Sequence, residues 1–247
     1  EGRYDIDFIE EAREKPNFDV LFECKFPDEN AMSADGYIRL LSDSELEHSL
    51  VPPQEHSGYK ILGIDPAAGG DNSTVVLKSA NVMEVLFDQK LNDVMDLCGV
   101  AADLYRKHQA SMIAVDKTGI GQGVYDRLKE MGFEVRGISF GEKADDEAFY
   151  NKKAELYWKQ REWLLKGGRL IKNKGWKEFN YIRYKNKDGR VLIQPKEHLL
   201  REGLLSPNCV DASVLTQAIS DTTIKSARMF RQRGTTFHDR MVDIWRG

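Results

Sequence analysis

The stretch Lys60-Ile61-Leu62-Gly63-Ile64-Asp65-Pro66-Ala67-Ala68-Gly69-Gly70-Asp71-Asn72 joins an apolar run to a carboxylate and then to a glycine turn. A short continuous apolar run of this kind reads as a buried strand. Ionising Asp65 at its end is costly unless the charge is paired or binds metal. Met112-Ile113-Ala114-Val115-Asp116 repeats the pattern, and Asp211-Ala212-Ser213-Val214-Leu215 opens an apolar helix with a third acid. Two strand-end carboxylates and one on a helix suggest a site that gathers divalent cations.

Working outward, Ser73–Ser79 and Val82–Gln89 read as two further strands, so that the first three strands form an antiparallel meander. Asp93 is placed to cap a helix running to about Gln109, with Val94, Leu97, Val100, Ala101 and Leu104 recurring at spacings of three and four. A helix from Val124 to Met131, a strand over Glu134–Ile138 and a mobile loop over Ser139–Phe149 follow. Lys152–Lys166 has an amphipathic helical pattern. Tyr181–Lys185 and Val191–Gln194 frame Asn186-Lys187-Asp188-Gly189, a hairpin signal, and Cys209–Ile219 forms the last helix. Three strands, then helix, strand, helix, strand and late helices describe an α/β fold with a mixed central sheet, antiparallel first and parallel after, and an added hairpin.

Ahead of this lie a charged helix over 5–15, a strand or buried turn at Val20–Cys24, polar turns over 27–36, and a helix capped by Ser42 with Glu45 at the capping-box position and stopped by Pro52-Pro53. Three segments are expected: a lead-in over 1–57, the main domain over 58–222 and a basic tail over 223–247.

The chain has 247 residues, 41% of them hydrophobic, enough for one sizeable core or two small ones. No run reaches the roughly 18 apolar residues of a membrane span, and a membrane partner is not expected. Cys24, Cys98 and Cys209 stand far apart with no zinc spacing, which suits a reduced cytosolic setting. The net charge of −4 conceals an asymmetry: residues 1–50 hold 14 acids and 5 bases, whereas 150–205 hold 15 bases and 6 acids. The basic block suits a polyanion, because phosphate contacts need clustered Lys and Arg.

No G-x-x-x-x-G-K-[ST] occurs, so ATP hydrolysis is not expected of this chain. The five histidines show no metal spacing, and no Ser or Cys sits in a nucleophile motif. Hydrolysis of a phosphodiester needs an activated water and a stabilised leaving oxygen, and two hard cations about 3.5–4 Å apart supply both. Asp65 is placed to bridge such ions, with Asp116 beside it and Asp211 closing the site. Asp211 alone also reads as an ordinary first-turn helix carboxylate. Asp71 reads either as a turn residue or as an accessory to the metals. Gly119-x-Gly-x-Gly reads as a tight exit from the Asp116 strand. Lys185, Lys187 and Arg190 surround the hairpin tip as candidate DNA contacts, while Trp158, Trp163 and Trp176 with Tyr157, Tyr181 and Tyr184 read as packing residues.

Gly63-Ile64-Asp65-Pro66 with Gly69-Gly70-Asp71-Asn72-Ser73 resembles the first-strand motif of the nuclease domain of large terminase subunits, the DNA-packaging motors of tailed bacteriophages. Val115-Asp116-Lys117-Thr118-Gly119-Ile120-Gly121 is similar to their second acidic motif, Asn151-Lys152-Lys153-Ala154-Glu155 to a helix signature, and Ser206-Pro207-Asn208-Cys209-Val210-Asp211-Ala212 to their last motif. The resemblance spans about residues 59–220. It implies a ribonuclease-H-like fold and endonucleolytic cutting of double-stranded DNA with two Mg²⁺ or Mn²⁺ ions held by Asp65, Asp116 and Asp211. Lys152 and Lys153 join the expected DNA contacts. The resemblance also implies an ATPase domain upstream in the same chain, a portal protein and a small terminase subunit as partners, and action in the host cytoplasm. The sequence departs from the pattern at Asn208, where many relatives carry an acid or His. Asn208 offers an accessory carbonyl oxygen without charge, so Mn²⁺ is expected to serve better than Mg²⁺. A junction-resolving or repair nuclease of the same fold, or a catalytically silent domain docking DNA or a portal, are the other readings.

Overall fold

The computed structural model describes residues 35–67, 69–220 and 222–224, with Glu10, Arg13 and Ser33. Most of the expected helix over 5–15, the strand at Val20–Cys24, most of the turns over 27–36 and the tail beyond 224 lie outside the described residues.

Strands β1 (Ile38–Arg39) and β2 (Leu50–Val51) flank helix α1 (Asp43–Ser49). The Ser42–Glu45 capping box starts α1 as its sequence predicts. Then come β3 (Ile61–Asp65), β4 (Ser73–Lys78), β5 (Val82–Gln89), α2 (Val94–His108), β6 (Met112–Asp116), α3 (Gly121–Glu130) and β7 (Val135–Ile138). The chain continues through α4 (Lys152–Leu165), β8 (Arg169–Ile171), a 3₁₀ helix (Lys174–Tyr181), β9 (Arg183–Lys187), β10 (Arg190–Ile193), α5 (Lys196–Arg201) and α6 (Asn208–Leu215).

Among the described residues, seven strands form one sheet in the order β2-β8-β5-β4-β3-β6-β7. β3, β4 and β5 pair antiparallel, and β3-β6-β7 run parallel. This is the mixed α/β sheet that the order of elements predicts. Alternation along the central strands separates two cores. Leu62, Ile64, Ile113 and Val115 pack with Leu97 and Leu128 of α2 and α3, while Ile61, Met112 and Ala114 pack with Leu156 of α4 and Val210 of α6. By the same alternation Asp65 and Asp116 face the side on which α4 and α6 lie.

Four features depart from the sequence reading. Part of the segment assigned to the lead-in is built into this fold: β2 pairs with β8 at the sheet edge, β1 pairs with β9, and Leu40, Leu41 and Leu46 join the core. Helix α3 begins three residues early, at Gly121. The loop over 139–149, expected to be mobile, is tied to the start of α4 by Lys152 N–H to Glu142 O (2.8 Å), Lys153 N–H to Phe140 O (3.0 Å) and Asp145 N–H to the Glu155 carboxylate (2.9 Å). Helix α4 is also not simply amphipathic. Ala154, Glu155, Leu156, Tyr157, Trp158, Gln160 and Leu164 are all buried, because residues of α4 pack both with the main-sheet core and against hairpin residues such as Tyr184. The hairpin turns on Asp188 (φ 53°) and Gly189 (φ 78°), the paired left-handed conformation of a two-residue tight turn.

Candidate metal and nucleic-acid site

Ile64 and Val115 are register partners on parallel strands, so Asp65 and Asp116, one residue further on each, stand side by side. Neighbouring strands lie about 4.8 Å apart. Helix α6 crosses this end of the sheet at very short range. A β-carbon built on Gly63 would lie 2.0 Å from Ala212 O, and only a glycine lets the helix sit so low. That seats the residue after Asp211 directly on β3, and Asp211 itself is buried. A second close approach shapes the exit from β6. A β-carbon on Gly121 would lie 1.8 Å from Asp116 O, which gives the glycine run a physical reason.

Asp65 feels the other two acids. Burial, then the charges of Asp211 and Asp116, push the Asp65 carboxyl well above the usual carboxylate range, and Lys196 and Lys153 only partly offset this. Asp211 Oδ1 accepts a short 2.5 Å hydrogen bond from the Tyr157 hydroxyl, and Lys153 Nζ lies 3.4 Å from the same oxygen. Burial and the Asp211 charge raise the Tyr157 phenol well above its ordinary value. Asp116 Oδ1 accepts from Thr118 N–H at 2.9 Å. Two of the three carboxylates thus have one oxygen turned toward protein donors, and among the described residues no three His, Cys, Asp or Glu side chains already stand in a metal-holding arrangement. The donor set still fits a hard divalent ion: it is all carboxylate oxygen, and its like charge bears on Asp65 beyond what the two lysines offset.

Asp71 sits across the turn, accepting from Ser206 Oγ at 2.6 Å with Lys196 Nζ at 3.5 Å. The Ser206 hydrogen bond lowers its pKa. Asn208 is buried in the first turn of α6. That helix has no side-chain cap of its own. Glu178 of the 3₁₀ helix supplies one from outside, accepting Val210 N–H at 3.0 Å, and burial raises its carboxyl to about 8.

The expected DNA contacts divide. Lys187 and Arg190 are exposed around the hairpin, their cations 4.9 and 5.4 Å from the Tyr150 ring, and Lys185 lies 4.3 Å above Tyr37. Lys152 corrects the sequence reading: its ammonium is drawn inward onto Glu155 and Asp145, both at 2.9 Å. Lys153 belongs to the carboxylate cluster itself. Trp158 and Trp176 are buried in the core, as packing residues. Sequence reasoning missed Tyr157 as a partner of Asp211, together with Lys196 and Glu178. Tyr157 lies four residues after Lys153, on the same helix face, which was a usable signal. Nothing in the sequence marks Glu178. Replacing Tyr157 by Phe leaves a buried carboxylate short of a donor, so urea unfolding in EDTA should show a loss of about 1–3 kcal/mol. No loss would mean that the hydroxyl contributes nothing to holding Asp211.

No family model matches the sequence, and no curated protein matches it. Solved structures do. The nuclease domain of the large terminase subunit gp2 of bacterial virus Sf6 superimposes with a TM-score of 0.64 at 18% identity, over 72% of this chain and 97% of that one. The large terminase nuclease of thermophilic phage G20c does so with a TM-score of 0.55 at 15% identity, over 72% and 97%. This chain has the ribonuclease-H-like fold of phage large-terminase nuclease domains. The terminase-like sheet, antiparallel through β3, β4 and β5 and then parallel, is what sets its two strand-end aspartates beneath α6. The G20c terminase nuclease is also known with bound magnesium (TM-score 0.53, 16% identity). Among the described residues no helix is long and apolar enough to cross a membrane.

Proposed function

We propose that the chain is a metal-dependent endonuclease that cuts double-stranded DNA during viral genome packaging. The observation that carries this reading is the placing of Asp65 and Asp116 side by side at the end of a terminase-like sheet, with α6 and its buried Asp211 packed directly on β3. Asp65, Asp116 and Asp211 would hold divalent ions through their carboxylate oxygens. Such ions, when bound, supply Lewis-acid charge and a water acidic enough to serve as nucleophile. Tyr157 and Lys153 hold Asp211 by one oxygen and leave the other for a ligand role. Lys196, kept near the acids by Asp71, contributes positive charge where a phosphate would lie. Lys185, Lys187 and Arg190 would hold the duplex by its backbone, which positions DNA and carries little sequence information. The upstream ATPase, the portal and the small terminase subunit would be its partners, in the host cytoplasm.

A manganese-bound mutant form of the Sf6 gp2 domain (TM-score 0.62, 17% identity) supports divalent-ion use. Because Asn208 adds no charge, plasmid nicking should be faster in Mn²⁺ than in Mg²⁺, and Asn208→Asp should narrow the gap. Absence of nicking in either ion would remove the enzymatic reading. Equal rates in both ions at low concentration would remove the role given to Asn208.

A further inference from the structure

A cleft of about 490 Å³ opens beside the carboxylate cluster, between the 70–72 turn, the end of β5, the 3₁₀ helix and residues 205–208. It has the size of a single small-ligand site, suited to one strand and not to a duplex. Its position follows from sheet register. Asp65 pairs with Thr74 and Thr74 with Asp88, so Asp88 stands two strand spacings, roughly 10 Å, from Asp65.

The cleft carries three carboxylates and three lysines in its lining, and they are used differently. Asp71 is taken up by Ser206 and Lys196. Asp88 Oδ1 accepts from Asn72 Nδ2 at 2.9 Å and Thr74 Oγ1 at 3.3 Å, and Glu178 accepts from Val210 N–H. The acids are thus engaged with the cleft wall. Lys90, Lys174 and Lys177 are exposed, and none forms an ion pair among the described residues. Leu205 at the mouth is 78% exposed, an apolar side chain with no packing role.

We propose that this cleft is a subsite for one DNA strand beside the cut, with Lys90, Lys174 and Lys177 on its phosphates and Leu205 against a sugar or base. The proposal rests on the nuclease reading and adds to it a place for the strand a few nucleotides from the scissile bond. The hairpin cations hold the duplex, whereas these three lysines guide one strand past Asp65.

The test is steady-state cleavage of a short duplex by the full chain in Mn²⁺ over a series of salt concentrations. The triple replacement Lys90→Ala, Lys174→Ala, Lys177→Ala should raise KM about tenfold or more and leave kcat nearly unchanged. The slope of log(kcat/KM) against log salt should flatten by about 2, since each contact to a single strand's phosphates contributes roughly 0.7. The charge-matched replacement Lys107→Ala, Lys129→Ala, Lys166→Ala, on exposed helix surface away from the cleft, should leave KM and slope as they were. An unchanged KM and slope in the first variant, or an equal change in the second, overturns the subsite. No cleavage by the unaltered chain overturns the nuclease reading, and the subsite falls with it.

Discussion

Asp65→Asn should abolish cleavage, by at least about a thousandfold on the scale of lost charge stabilisation at a reacting centre, and in metal-free buffer should leave the protein more stable than before. The two effects come from one cause. Burial and two neighbouring carboxylates make ionised Asp65 unfavourable in the folded chain, and an ordinary structural aspartate would show the opposite. The sign of the pH dependence follows from the raised folded-state pKa. Below the unfolded carboxylate range both states hold the proton and Asp65 costs nothing. As pH climbs above it, the unfolded chain ionises freely while the folded chain resists, so stability falls until the raised folded pKa is passed. In EDTA the gap in denaturation midpoint between Asp65→Asn and the unaltered chain should therefore widen from acid to neutral pH. Divalent ion should close it by stabilising the unaltered chain alone. A variant that unfolds more easily at neutral pH, or that still cleaves, would show that Asp65 is under no such pressure.

Gly63→Ala should be strongly damaging for a change of one methyl group. The added carbon meets Ala212 O at 2.0 Å, Thr216 Cγ2 at 2.7 Å and Ala212 C at 3.1 Å. Two of these atoms are helix backbone and cannot swing aside. Gly63 lies on a strand paired on both sides, by β4 and β6, so the sheet cannot give either. Relief requires lifting α6, which carries Asp211. Overpacking of this severity should cost about 3 kcal/mol or more, and cleavage should fall with the displaced carboxylate. Gly99 in α2 is the matched control: a β-carbon there meets nothing within 4 Å, and Gly99→Ala should stabilise by about 0.5–1 kcal/mol. Urea midpoints of the two variants check the pair. A Gly63→Ala protein as stable as the unaltered chain would mean that α6 does not sit on β3 as closely as this.

The central sheet was legible because its middle strands are covered on both faces, so β3 and β6 appear as unbroken apolar runs ending in Asp65 and Asp116. The edge strands β2 and β8 were not, since strands of two and three residues carry no period. The capping signals at Ser42 and Asp93 are local chemistry and read directly. Lys152 misled because its neighbours in sequence do not reveal that Glu155 beneath it is buried and needs a cation. The acids themselves were found from pattern, but Tyr157 and Glu178, which hold Asp211 and its helix, come from elements 54 and 32 residues away in sequence. Nothing local marks Glu178, and Tyr157 is flagged only by sharing a helix face with Lys153.

The most direct measurement is anomalous scattering from Mn²⁺ in crystals of the chain. The account predicts two peaks at the ends of β3 and β6, with carboxylate oxygens of Asp65, Asp116 and Asp211 about 2.1 Å from them. Peaks absent from that place, or present without Asp65 touching both, would contradict it.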